Sequence, residues 1–126
     1  ITDKMLKQQN LDPDDLVYGS FHGLPMVFTA TSLEALGDMV YMTEALGLDE
    51  KHRFYSERAK MGYRWLMVLQ IDLEDAQGYK SPSDALGGFP TALFDEMIRI
   101  DNTQHAISAL SKGLRYVFDK NPIGYE

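Results

Sequence analysis

Apolar residues recur at helical spacing in three stretches of the chain. Leu33, Leu36, Met39, Val40, Met42 and Leu46 make up the first of them. Thr31 stands just before it, with Glu34 at capping-box spacing, and Gly47 stands where such a helix would stop. A second helix is expected from about Asp49 to Ile71. Its buried stripe would be Phe54, Tyr55, Ala59, Gly62, Trp65, Leu66 and Leu69, and Asp49 and Glu50 suit the positive end of its dipole. The link between the two is short, so they should pack antiparallel. A third helix is expected from about Asn102 to Phe118. Ile107, Leu110, Leu114 and Val117 would face a core, Asp101 would cap the helix with Gln104 at capping-box spacing, and Asn121-Pro122-Ile123-Gly124 would end it.

Between these stretches the pattern breaks. Ile1–Asn10 reads as the tail of a helix that Pro13 stops. Gly19-Ser20-Phe21 and Gly87-Gly88-Phe89-Pro90 are bends, in which glycine permits positive φ and proline fixes the exit direction. The segment 72–84 is a polar loop, and Thr91–Arg99 is either a turn or an extended piece. The chain overlays on itself at a period of about 70 residues. Met5–Gln9 and an acidic loop match Trp65–Gln70 and an acidic loop. Gly19-Ser20-Phe21 matches Gly87-Gly88-Phe89, and Thr31–Glu34 matches Asp101–Gln104.

A helix ending in glutamine, an acidic loop, Gly-Gly-Phe and an inner helix together resemble the repeat of α/α-toroid proteins. These include terpenoid-cyclase and protein-prenyltransferase-like toroids and six-hairpin carbohydrate-active folds. Gln70 with Gly87-Gly88-Phe89 fits the pattern, and Gln8 or Gln9 with Gly19-Ser20-Phe21 fits it more loosely. The resemblance implies an all-α fold of antiparallel α-hairpins from an incomplete toroid: one helical domain over 1–126, with repeats at 1–48 and 49–126. A closed ring needs about five to seven hairpins, so the resemblance also implies a fragment, C-terminal, of a longer chain with an uncovered apolar face. The acidic motif of terpene cyclases and the zinc ligands of prenyltransferases are both missing. Asp12-Pro13-Asp14-Asp15 carries carboxylates, but proline interrupts any helix that would display them.

Composition narrows the chemistry. The 126 residues carry a formal net charge of −7, which argues against nucleic acid or an anionic membrane as partner. No apolar run approaches the ~18 residues of a membrane span. The absence of cysteine rules out disulfides and thiolate metal sites, and the three scattered histidines form no His-x-x-x-His pair, so neither metal nor cofactor is expected. Compartment is left open.

Asp101, His105, Ser108 and Lys112 share one helical stripe, which a toroid would turn toward its cavity. Asp101 and His105 are the candidate acid/base pair. Arg99, His22, Phe89, Tyr18 and Gln104 are the candidate substrate contacts: a guanidinium for anions, aromatics and an imidazole on the bends, and an amide beside the histidine. The motifs that carry the resemblance imply a fold and no reaction; the first functional reading is part of a toroid enzyme acting in a central cavity on a carbohydrate or isoprenoid-like small molecule. A non-catalytic helical-repeat module binding a protein or glycan, and a structural or oligomerising domain, are the alternatives. Its partners would be a ligand, a second copy, or the missing part of the ring.

Overall fold

The computed structural model describes residues 2–21, 26–92 and 95–118. Helix α1 (Thr2–Leu6) leads into a folded loop, and α2 (Met26–Ala45) and α3 (Asp49–Leu69) follow. Two short helices, α4 (Leu73–Ala76) and α5 (Pro82–Ala85), shape the next loop. Strands β1 (Pro90–Ala92) and β2 (Asp95–Ile98) pair antiparallel, Pro90 opposite Ile98 and Ala92 opposite Asp95. Helix α6 (Ile100–Gly113) ends in a π-helical turn, Leu114–Phe118. The described residues are thus mostly helical, with one small antiparallel pair of strands, Pro90–Ala92 and Asp95–Ile98.

The two glycine bends are built alike. Gln9 donates through Nε2 to the Gly19 carbonyl at 3.1 Å, and Gln70 does the same to Gly87 at 3.0 Å. The residue after each glutamine then pairs with the bend in both directions. Asn10 N–H donates to Ser20 O and Gly19 N–H to Asn10 O; Ile71 N–H donates to Gly88 O and Gly87 N–H to Ile71 O. Both leading glycines have positive φ, +90° at Gly19 and +83° at Gly87. Both aromatics, Phe21 and Phe89, are fully buried. The glutamines differ in burial: Gln9 also donates to Arg58 O at 2.9 Å and is buried, whereas Gln70 is exposed. Gln9→Ala should therefore cost about 1–2 kcal/mol, because it removes two bonds from the bend while also removing Oε1, which is buried without a partner, and Gln70→Ala about 0.5 kcal/mol or less, as read by urea unfolding.

Helix directions follow from their contacts. The Tyr63 hydroxyl donates to Leu33 O at 3.0 Å, and His52 Nδ1 lies 3.1 Å from Val40 O, so α3 runs antiparallel to α2. Between them Gly47 adopts φ +68°, and Gly47 N–H to Glu44 O with Leu48 N–H to Thr43 O form the paired bonds of a Schellman stop. His105 reaches Glu34, and Lys112 reaches Asp38, so α6 runs parallel to α2. The main core lies among these three helices: Leu33, Leu36 and Val40 of α2, Tyr55, Ala59, Tyr63 and Leu66 of α3, and Ala106 and Ala109 of α6. Ile71, Ala76 and Ala85 form a small separate cluster under the α4–α5 loop.

Several expectations need correction. Thr31 does not cap α2, which starts at Met26; its hydroxyl donates back to Val27 O at 2.9 Å inside the helix. Met26, Thr29 and Ala30 are buried, so the core holds a turn that the capping motif alone would leave out. Asp101 is likewise not the cap of α6: Arg99 occupies that position, without a side-chain cap bond. Met42, Leu46 and Phe54 are exposed, and so are Ile107 and Leu114, although periodicity points them toward a core. The face of α6 that is buried consists of Asn102, Ala106, Ala109 and Gly113. Close approach explains the choice: a Cβ at Gly113 would stand 2.8 Å from the Tyr63 ring, so only small residues fit there. The expected stop at 121–124 lies outside the described residues.

Candidate functional site

Polar side chains meet along the seam between α2 and α6. Glu34 and Asp38 stand one turn apart on α2, and His105 and Lys112 stand two turns apart on the parallel α6. His105 Nδ1 lies 2.7 Å from Glu34 Oε1. Lys112 Nζ donates to Asp38 Oδ2 at 2.9 Å and to Glu34 O at 3.4 Å. The His105 side chain is 41% exposed and Glu34 24%, so solvent reaches both. A carboxylate on Nδ1 selects the tautomer protonated there and leaves Nε2 as the ring position that can take a proton from a substrate.

Asp101 lies one turn before His105 on the same stripe. It accepts from Arg99 Nε and a terminal guanidinium nitrogen, each at 3.1 Å, so these two expected site residues form one forked, exposed pair. The β-hairpin supports this end of α6: Asn102 Nδ2 donates to Thr91 Oγ1 at 3.3 Å, and Thr91 Oγ1 donates to Met97 O at 2.8 Å. Gln104 is exposed beside His105. Arg99, Asp101, Gln104 and His105 are therefore gathered on the first turns of α6.

Two other expected contacts lie elsewhere. Phe89 is a core residue with no exposed surface. Tyr18 turns its hydroxyl to Met61 Sδ of α3, at 3.0 Å. His22 lies outside the described residues. Glu34 and Asp38 had no place among the expected site residues. The signal that could have found them is their four-residue spacing, which puts two carboxylates on one face of α2. Among the described residues, no group of three histidine or acidic side chains could hold a metal ion, and no helix is long and apolar enough to cross a membrane.

Tyr63 lies beneath the seam. Burial pushes its phenol well above the ordinary tyrosine range, and the charges of Asp38 and Glu34 push it further. The unfolded chain ionises near pH 10, whereas the fold keeps the proton. Tyr63 thus contributes stability in full below about pH 10 that is lost as pH rises beyond it. Tyr63→Phe is expected to cost about 1 kcal/mol at pH 7, through the bond to Leu33 O, and to flatten that alkaline loss. Denaturant unfolding between pH 8 and about 11 would show both effects. The Glu34–His105 pair is partly solvated, so Glu34→Gln should change stability by about 1 kcal/mol or less in the same measurement at neutral pH.

Compared with known proteins, the chain matches no family model, no curated protein and no solved structure.

Proposed function

We propose that the chain is a segment of an α/α-toroid enzyme that acts on a carbohydrate or isoprenoid-like substrate in a cavity bordered by α2 and α6. Two features support the toroid: the twice-used Gln–Gly–Phe bend, and two parallel helices sharing an antiparallel third. The catalytic part rests on one observation, the 2.7 Å contact between Glu34 and His105. In this reading Glu34 orients the imidazole, and His105 Nε2 moves a substrate proton. Asp101 sits one turn away with Arg99 forked onto it, and Arg99 and Gln104 offer donors to substrate oxygens.

The test follows the His105 ring proton by NMR, assigned through His105→Gln, during titration with neutral oligosaccharides, uronate oligosaccharides and a prenyl diphosphate. One class should shift that resonance saturably and be turned over. The His105→Gln variant should lose about 10²–10⁴ of the rate, while Tyr18→Phe keeps it. A ligand that binds without moving His105 would instead favour the second reading, a non-catalytic module. The observation favouring that alternative is the exposed apolar group of Ile98, Ile100 and Ile107. If no class binds, the enzyme reading fails.

A further inference from the structure

The end of α1 and the middle of α3 border a cleft of about 450 Å³. Leu6 and Gln9 are its buried residues, and Lys7, Leu11, Phe54 and Arg58 complete its wall. Gln9 fixes the spacing of the two sides. Its Nε2 donates to Arg58 O on α3 at 2.9 Å and to Gly19 O in the first bend at 3.1 Å, so the cleft is held open in advance of any ligand. The Arg58 guanidinium lies over the Phe54 ring, 5.0 Å from its centroid, and its Nη1 stands 3.4 Å from Leu6 O. A guanidinium carries five N–H donors, so this arrangement leaves several for a ligand. Arg99 and Lys112 each find an aspartate, but among the described residues neither Lys7 nor Arg58 pairs with a carboxylate. Apolar surface is open beside these two cations: Phe54 is 44% exposed and Leu11 47%.

We propose that this cleft binds a carboxylate carried on an extended alkyl chain, the chemistry of a medium-chain fatty acid. Charge complementarity names the head group. The net charge of −7 repels anions from the surface at large, so an anion held here is held by Lys7 and Arg58. Phe54 and Arg58 lie inside α3, where the backbone N–H groups are spent on the helix, so the anion is met by side chains. Two cations suit a single negative charge, and the planar guanidinium fork matches the two oxygens of a carboxylate. The apolar wall names the body. An alkyl chain covers Leu11 and the open part of Phe54, with Leu6 beneath. Neither half suffices alone, because a solvated ion pair contributes little without the buried apolar area. The inference stands apart from the repeat and from any role of His105.

The probe is decanoate, kept below its micelle concentration and titrated into the protein by calorimetry, with acetate and decanol as the head and the body tested separately. The expected result is saturable binding at one site per chain, with acetate and decanol each at least about tenfold weaker. Arg58→Gln should weaken decanoate at least about tenfold and Lys7→Gln about fivefold, while Arg58→Lys, which keeps the charge and loses the fork, falls between wild type and Arg58→Gln. Arg64→Gln makes the same change of charge elsewhere on α3 and should leave binding unchanged. Circular dichroism melts confirm that each variant is folded, and Lys7, being exposed, keeps the test open should Arg58→Gln unfold. Nuclear Overhauser contacts should join the decanoate methylenes to the Leu6 and Leu11 methyls, with the His105 ring proton unmoved. Absent saturation, acetate equal to decanoate, decanol equal to decanoate, or indifference to both Lys7 and Arg58 would each overturn the proposal. So would contacts to Ile100 and Ile107 in place of Leu11, or binding seen only with phosphatidylglycerol vesicles, since the occupant would then be a lipid surface.

Discussion

Gly19→Ala is expected to destabilise the fold by about 3–5 kcal/mol, and Gly87→Ala by only about 1 kcal/mol, although the two glycines play the same part in equivalent bends. Both residues sit at positive φ, where a Cβ costs about 1–2 kcal/mol through its clash with the backbone. The surroundings then separate them. A Cβ on Gly19 would stand 2.3 Å from the Met61 carbonyl oxygen and 2.8 Å from its carbon, both in the backbone of α3, which cannot swing aside as a side chain would. A Cβ on Gly87 meets nothing within 4 Å. The pair therefore resolves the conformational part of the penalty from the steric part inside one molecule. Thermal melts should place Gly19→Ala well below Gly87→Ala, since each kcal/mol moves the midpoint of a domain this size by roughly 3–5 °C. Equal losses would mean that α3 does not press on the first bend.

The same contrast marks what a sequence of this kind discloses. The bends were legible because their information is local: a glycine needing positive φ, an aromatic beside it, and a glutamine ending the preceding helix. The short link at Gly47 and the span of α3 were legible for the same reason. The face of α6 was not. Periodicity ranks Ile107 and Leu114 as the stronger core candidates, yet Ala106, Ala109 and Gly113 turn inward, because Tyr63 already fills the space between helices. The polar seam was half legible. His105 and Lys112 could be placed on one stripe, but their partners Glu34 and Asp38 lie more than 70 residues away, and only the parallel packing of α2 and α6 brings them together. Glu34 was visible only as the third residue of a capping box, a local motif that the core overrode by starting the helix at Met26.

Phe21→Ala and Phe89→Ala should each destabilise the protein by about 3–5 kcal/mol, the range for removing a buried aromatic and leaving a cavity. Both rings are fully buried, and each belongs to the main core cluster. Phe21 is also tied at its backbone: its N–H donates to Thr29 Oγ1 at 2.8 Å, which ties the first bend to α2. Phe89 leads directly into β1 and so holds the hairpin on which Thr91 supports Asn102 and the start of α6. Loss of the Phe89 ring should therefore loosen the platform of Arg99, Asp101 and His105, although the ring has no exposed surface. This separates a core role from a contact role. Phe89→Leu keeps most of the volume and should cost less than about 1.5 kcal/mol, restoring both the melting point and the His105 response to substrate. A ring that stacked on substrate would behave otherwise: leucine would rescue stability but not binding. Calorimetric melts paired with the His105 titration on Phe89→Ala and Phe89→Leu distinguish the two, and rescue of both properties together is the expected result.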